Sequence, residues 1–322
     1  MHFAYAAVSS MLAPMETPVN TPGAGTAPAS PSAGPDGRTR LAGTAVMLGG
    51  GLSNQFGASL GALAFPVIGP VGVVAVRQWV AGAVLLAVGR PRLRAFTWSQ
   101  WWPVLSMALV FGTMNLTLYS AVDRIGLGLA VTLEFLGPLA VALAASRRWV
   151  DLVCALAAGG AVAVLMRPQA STDHAGIALA LAAAACWAAY ILLNRTVGRR
   201  VPGIGGSAAA AGVSALVFAP VGALVLIAHP PTPAALACAA AAGVLSSTVP
   251  FLGDLFALRR VPARHFGLFM SVHPVMAALV GLAVLGQALE WVDWAAVAAI
   301  VAANAVSALA AGRAGRTRTA ER

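Results

Sequence analysis

Three residues able to hold or exchange charge lie inside stretches that are otherwise almost wholly apolar. Arg77 is about nine residues into the run 69–89, Glu134 about the tenth of the 21 residues of 125–145, and His273 about the ninth of 265–285. A charge at the centre of a bilayer costs roughly 2.5–3.5 kcal/mol on insertion scales, so each is expected to face protein or water. Glu134 can bind an amine, carry a proton, or do both; its structural alternative is a packing acid held by a hydroxyl or by Arg77. Arg77 can grip a carboxylate through two parallel hydrogen bonds; otherwise it pairs with Glu134 or snorkels to the interface. A substrate with both an amine and a carboxylate suits the two together. His273, directly before Pro274, can relay protons or serve as a hydrogen-bonded core residue. Asp254 stands near Arg259 and Arg260 at the end of the run 234–258, as a gate or coupling residue or as half of a helix-end ion pair. Asn54, Gln55, Ser59, Asn115, Trp187, Tyr190 and Asn194 are softer candidates for lining a cavity. Asn115, Trp187 and Tyr190 join Arg77, Glu134 and His273 as the expected substrate-binding set, the aromatics by stacking.

The elements that must position these groups are membrane helices. Of 322 residues, 59% are hydrophobic and 9% charged, with a mean hydropathy of +0.84; a soluble domain averages about 25% charged. The stretch Ile125–Asp151 shows the pattern, with about twenty near-continuous apolar residues, Glu134 near the middle and Pro138 four residues later. Proline has no N–H, so the Glu134 carbonyl loses its usual helical partner beside the acid. All twenty basic residues are arginine. Without lysine there is neither a Walker A loop nor a Schiff-base nucleophile, so transport is expected to run on gradients. The +10 net charge sits in short loops and reads as a topology signal rather than a nucleic-acid surface. Cys154, Cys186 and Cys238 lie far apart in apolar runs and form neither a disulfide framework nor a metal set, and no cofactor is expected.

Ten spans are expected, at 42–66, 69–89, 101–121, 125–145, 150–166, 175–194, 207–228, 234–258, 265–285 and 292–311. Seventeen arginines fall on one side of that arrangement and two, Arg124 and Arg167, on the other. Both termini are therefore expected in the cytoplasm. Tryptophans 98, 101, 102, 149, 291 and 294 fall at span boundaries, as an aromatic belt does. The tail 1–40 is rich in Pro, Ala, Gly, Ser and Thr and is expected to be disordered. Its apolar start is a weak signal peptide, and Met11, Met15 or Met47 are alternative starts.

The two halves echo one another. Arg124 precedes Pro138 by 14 residues and Arg260 precedes Pro274 by the same 14. Each proline is followed by an apolar run and then by Trp-Val-Asp, at 149–151 and 291–293, with six more residues intervening in the second half. Five spans per half is odd, so a tandem repeat inserts upside down, as in many secondary transporters. The expected units are a first five-helix repeat at 41–168, a second at 169–312, and a basic tail at 313–322.

Gly57-Ala58-Ser59-Leu60, the Arg77 segment, Asn115, Leu133-Glu134-Phe135-x-Gly137-Pro138-Leu139-Ala140-Val141, Ala185-Cys186-Trp187-Ala188-x-Tyr190 and Arg264-x-Phe266-Gly267 resemble the EamA-type drug/metabolite transporter family, nearest its threonine/homoserine exporter branch. The resemblance covers about residues 41–310. It implies ten helices in two inverted five-helix halves, an inner-membrane location, a central cavity, and export of amino acids or related metabolites. Three positions depart from that branch: His273 stands where an acid precedes the ninth-span proline, Gly286-Gln287 where many members carry Gly-Glu, and a first-span lysine has no counterpart near Gly61. Asp254 keeps the eighth-span acid. Proton coupling fits Glu134 and His273, and the Ala/Gly-rich faces are compatible with a homodimer. An exporter of other small organic compounds is the alternative. An intramembrane enzyme is disfavoured, because Phe251 breaks the Gly-x-Gly-Asp pattern and no His-Glu-x-x-His or Gly-x-Ser-x-Gly occurs. A non-transporting sensor or assembly subunit is disfavoured by the short loops.

Overall fold

The computed structural model describes residues 37–144, 149–165, 173–201, 204–250 and 272–320. Residues 1–36 of the N-terminal tail, Asp254, Arg259, Arg260 and the first part of the ninth span lie outside them, whereas residues 37–40, expected to be disordered, open the first helix. All the regular structure described is helical: α1 (Gly37–Leu63), α2 (Phe65–Gly89), α3 (Trp98–Ile125), α4 (Leu127–Glu134), α5 (Leu136–Ala144), α6 (Trp149–Leu165), α7 (His174–Arg200), α8 (Gly205–Ala228), α9 (Pro233–Gly243), a π-helical turn (Val244–Thr248), α10 (His273–Leu285) and α11 (Trp291–Ala320). The all-α expectation holds. Helices α2, α3, α7 and α8 are each long and apolar enough to cross a membrane.

The surface is inverted relative to a soluble protein. Leu216 and Ile227 on α8 are 73% and 76% exposed, whereas Arg77 and Glu134 are each only 6% exposed. Leucine facing outward and charge facing inward is the distribution a hydrocarbon surround requires. Between helices the contacts are made by small residues, because lipid provides no hydrophobic drive and close van der Waals fit must substitute. A side chain on Gly137 of α5 would fall on the Ala184 carbonyl of α7. One on Gly128 of α4 would come within 2.8 Å of the Ala278 backbone of α10.

Two spans are interrupted, one of them beside its charged residue. The fourth span divides at Phe135 into α4 and α5, where Pro138 leaves the Glu134 carbonyl without its helical N–H. Helix α2 is bent at Gly69 (φ 64°), directly before Pro70, a kink that span counting does not anticipate.

Short links and side-chain clips hold the helix ends in register. On one face, Arg124 at the end of α3 pairs with Asp173 at 2.9 Å, and Asp173 also accepts from the Gly176 N–H at 2.8 Å to cap α7. On the same face, the Leu127 N–H that opens α4 donates to Gln287 Oε1 at 2.8 Å, from the link between α10 and α11. On the opposite face, Gln100 donates to the Arg200 carbonyl (2.9 Å) and Arg200 to the Ser99 carbonyl (2.7 Å), fastening the start of α3 to the end of α7. The Arg200 guanidinium also lies 4.9 Å from the centre of the Trp102 ring.

The cap on α7 should leave a signature in pH. The Gly176 N–H, helped by Arg124, holds the Asp173 carboxyl below its ordinary 3.8. A depressed carboxyl contributes stability above its unfolded value and loses it as pH falls through the folded value. Asp173→Ala should therefore lower the thermal midpoint in detergent by a few degrees at pH 7, and the gap to the parent should close as pH falls below the ordinary 3.8. A gap independent of pH would show that the capping charge is not what stabilises this end.

A charged cavity at mid-depth

Arg77, Glu134 and His273, predicted from three separate spans, line one cavity of about 60 Å³. Taking 1.5 Å per helical residue, Arg77 is about 18 Å along α2, Glu134 about 11 Å along α4 and His273 about 18 Å before the end of α10. All three helices are counted from the Arg124–Asp173 face, so the groups meet in the middle of a roughly 30 Å layer.

Each side chain is aimed by a local device. Glu134 is the last residue of α4, directly before the break at Phe135. Arg77 stands over the Tyr119 ring, its guanidinium carbon 5.0 Å from the ring centre, a cation–π contact that strengthens away from water. His273 opens α10, and its ring lies 5.7 Å from that of Phe135. Gly51 of α1 makes room for it: a Cβ there would come within 2.7 Å of His273 Nε2. Phe135 meets Trp187 edge-on at 4.7 Å, so the residue at the break also fixes the tryptophan.

Glu134 and Arg77 lie within electrostatic range of one another but make no ion pair; the ion pair among the described residues is Arg124–Asp173. Two opposite charges are thus held facing a shared space without neutralising each other. Around them are buried polar atoms with no hydrogen-bond partner among the described residues: Asn115 Oδ1, Tyr119 Oη and Trp187 Nε1. Asn115 spends its amide N–H on the Phe111 carbonyl (2.8 Å), which leaves the oxygen to the cavity. The wall therefore presents an anion, a cation, an acceptor, an indole donor and a phenol, a set that suits a small zwitterion with a polar side chain.

Of the softer candidates, Asn54, Gln55, Asn115 and Trp187 line this cavity. Ser59 and Asn194 are buried elsewhere. Tyr190 is buried too, but lines a second cavity of about 50 Å³ nearer the Arg200 face. Tyr119 was missed, although its i, i+4 spacing from Asn115 puts both on one face of α3 and could have revealed it. Phe135 and Pro250 were also missed, being apolar residues with no chemical signal of their own.

A bundle with aliphatic side chains outward and an unpaired anion and cation around a small central cavity has the build of a membrane transporter for small polar molecules. The chain belongs to the EamA-like transporter family. Residues 174–309 match the model of that family. The threonine/homoserine exporter RhtA of Escherichia coli (strain K12) is 40% identical over 246 residues, covering 74% of this chain and 81% of that protein. The protein of the same name from Salmonella typhimurium (strain LT2) is 38% identical over 249 residues, covering 74% and 82%. A solved crystal structure superposes with a TM-score of 0.53 at 23% identity, covering 85% of this chain and 99% of that one, a likeness of fold.

Tyr119→Phe tests the site without a substrate. An unpartnered buried hydroxyl costs about 1–3 kcal/mol, so its removal should raise the thermal midpoint of the unliganded protein. A fall of similar size would show that the phenol is already satisfied.

Proposed function

We propose that this protein exports small amino acids with a hydroxylated side chain, threonine and homoserine foremost, by alternating access around the Arg77/Glu134 cavity. One observation carries the reading: a buried guanidinium and a buried carboxylate face the same small space without pairing, in a chain 38–40% identical to threonine/homoserine exporters. Arg77 takes the substrate carboxylate in a forked contact, and Glu134 takes the ammonium. Burying either charge alone in a lipid-embedded bundle is costly; a bound zwitterion compensates both at once. The side-chain hydroxyl, donor and acceptor together, matches the free Asn115 oxygen and the free Trp187 N–H.

The alternation rests on two inverted five-helix repeats, 41–168 and 169–312. The packing supports this arrangement, because exchanging the halves maps one set of helix contacts onto the other. Helix α3 packs on α7 as α9 packs on α1, and α3 on α8 as α9 on α2. The α4–α5 pair packs on α7 as α10 packs on α1, while α2–α8, α4–α10 and α6–α11 are self-related contacts. The arginine asymmetry supports cytoplasmic termini and an inner-membrane location. Glu134 and His273 are the groups through which a proton gradient would act.

The test is efflux from cells or vesicles loaded with labelled amino acids. Glu134→Gln keeps shape but removes the anion, and should cut threonine efflux at least about tenfold while leaving the protein inserted. Parental efflux in this variant would refute the role of Glu134. Trp187→Phe keeps an aromatic ring against Phe135 and removes the donor together with the five-membered part of the indole. It should narrow the preference for threonine over valine by about tenfold or more. If the parent moves many unrelated compounds and does not prefer threonine, the reading as a broad exporter of organic compounds replaces this one.

A further inference from the structure

The second cavity is not an isolated packing gap. On three helices its lining lies about one turn from a residue of the charged cavity, always displaced in the same direction. Ala81 follows Arg77 by four residues on α2, Tyr190 follows Trp187 by three on α7, and Phe111 precedes Asn115 by four on α3. Helices α2 and α7 run toward the Arg200 face and α3 runs away from it, so each offset is a step of about 4.5–6 Å toward that face. At its far end the cavity reaches Leu85 and Ser207, within a turn or so of the ends of α2 and α8. The two hollows are stacked, the second lying on the Arg200 side of the first.

We propose that this second cavity is an antechamber through which the amino acid passes between the cytoplasmic face and the Arg77/Glu134 site, with Phe111 and Tyr190 as the partition. Their rings stand 6.1 Å apart at 38°, and one turn further on, the same two helices present Asn115 and Trp187 to the charged cavity. Among the described residues the antechamber is lined by hydroxyls and apolar groups, including Ser207, Ser246 and Ser247, and by no charged side chain. It can therefore wet and pass a zwitterion but not hold it as the charged site does, which suits transit.

The opposite wall joins the two spaces mechanically. Ser246 and Ser247 belong to the π-helical turn, a wide turn of the kind found at functional positions. Ser246 Oγ donates to the Asn54 carbonyl (3.0 Å) and Ser53 Oγ to the Leu245 carbonyl (3.0 Å). Asn54 lines the charged cavity, so α1 and the π turn are clipped together across the boundary between the two. Gly57 keeps this contact close, since a Cβ there would collide with Ser246 Oγ.

The proposal rests on the transport reading above, and its test separates the two. In a variant with Cys154, Cys186 and Cys238 replaced by serine, one cysteine is introduced at Ala211, on the antechamber wall, or in a second variant at Ser207. A membrane-impermeant maleimide is then added to everted or right-side-out vesicles. Labelling is read by mass, and threonine transport is compared before and after labelling in the same variant. Both cysteines should react at least tenfold faster in everted vesicles, and labelling at Ala211 should slow threonine transport at least tenfold. Three results would overturn the antechamber: no reaction from the everted face, equal or faster reaction from the other face, or full transport by the labelled Ala211→Cys protein. If the unlabelled parent moves no amino acid, the transport reading fails by itself, whatever the labelling.

Discussion

The structure depends on keeping two opposite charges buried together without letting them touch. In a medium with little water, an arginine and a glutamate within reach gain most by closing into a salt bridge, and a site made that way would have nothing left to offer. Here the guanidinium is held over the Tyr119 ring and the carboxylate sits at the end of a helix that stops directly after it. The ring contact satisfies part of the cation's need for electron density, while the helix break fixes where the anion can reach. The rest of the bundle, from the Gly137–Ala184 contact to the clips at both faces, keeps those two anchors from relaxing toward each other.

Much of this was legible in the sequence, for a physical reason. Lipid makes every charged residue within a span an exception, so Arg77, Glu134 and His273 stood out as single letters and all three meet in one cavity. The hydrogen bond lost at the Glu134 carbonyl was legible as well, because proline four residues after an acid withdraws it; the division of the span at Phe135 was not, since 125–145 reads as one apolar run. What the sequence could not tell was which aromatic side chains stand beside the charges. Tyr119 and Tyr190 look alike in an apolar run, yet one carries Arg77 and the other lies a turn away on the partition. That distinction depends on helix rotation, to which an Ala/Val/Leu-rich sequence with apolar residues all round gives little clue.

Gln287 shows how a departure from a family pattern becomes intelligible only in three dimensions. As a letter it is a lost acid. In the fold its side-chain oxygen accepts from the Leu127 N–H and caps the short helix that ends in Glu134. A glutamine keeps the accepting oxygen without a second negative charge about 10 Å along that helix from Glu134. The substitution thus preserves the geometry of the acid-bearing helix while altering its electrostatic surroundings.

The same logic extends to His273. An acid at that position would give the cavity two carboxylates against one guanidinium; with histidine, Glu134 is the single carboxylate among the described lining residues and Arg77 the single guanidinium. Carboxylate and guanidinium are then equal in number, the balance that a zwitterion, itself neutral overall, would satisfy group by group. A site with a surplus carboxylate would require an additional cation or proton whenever substrate bound. A balanced one would need neither, and the imidazole adds a hydrogen-bonding group to the wall without a second negative charge. His273 thus keeps a polar side chain on the cavity wall without unbalancing Arg77 against Glu134.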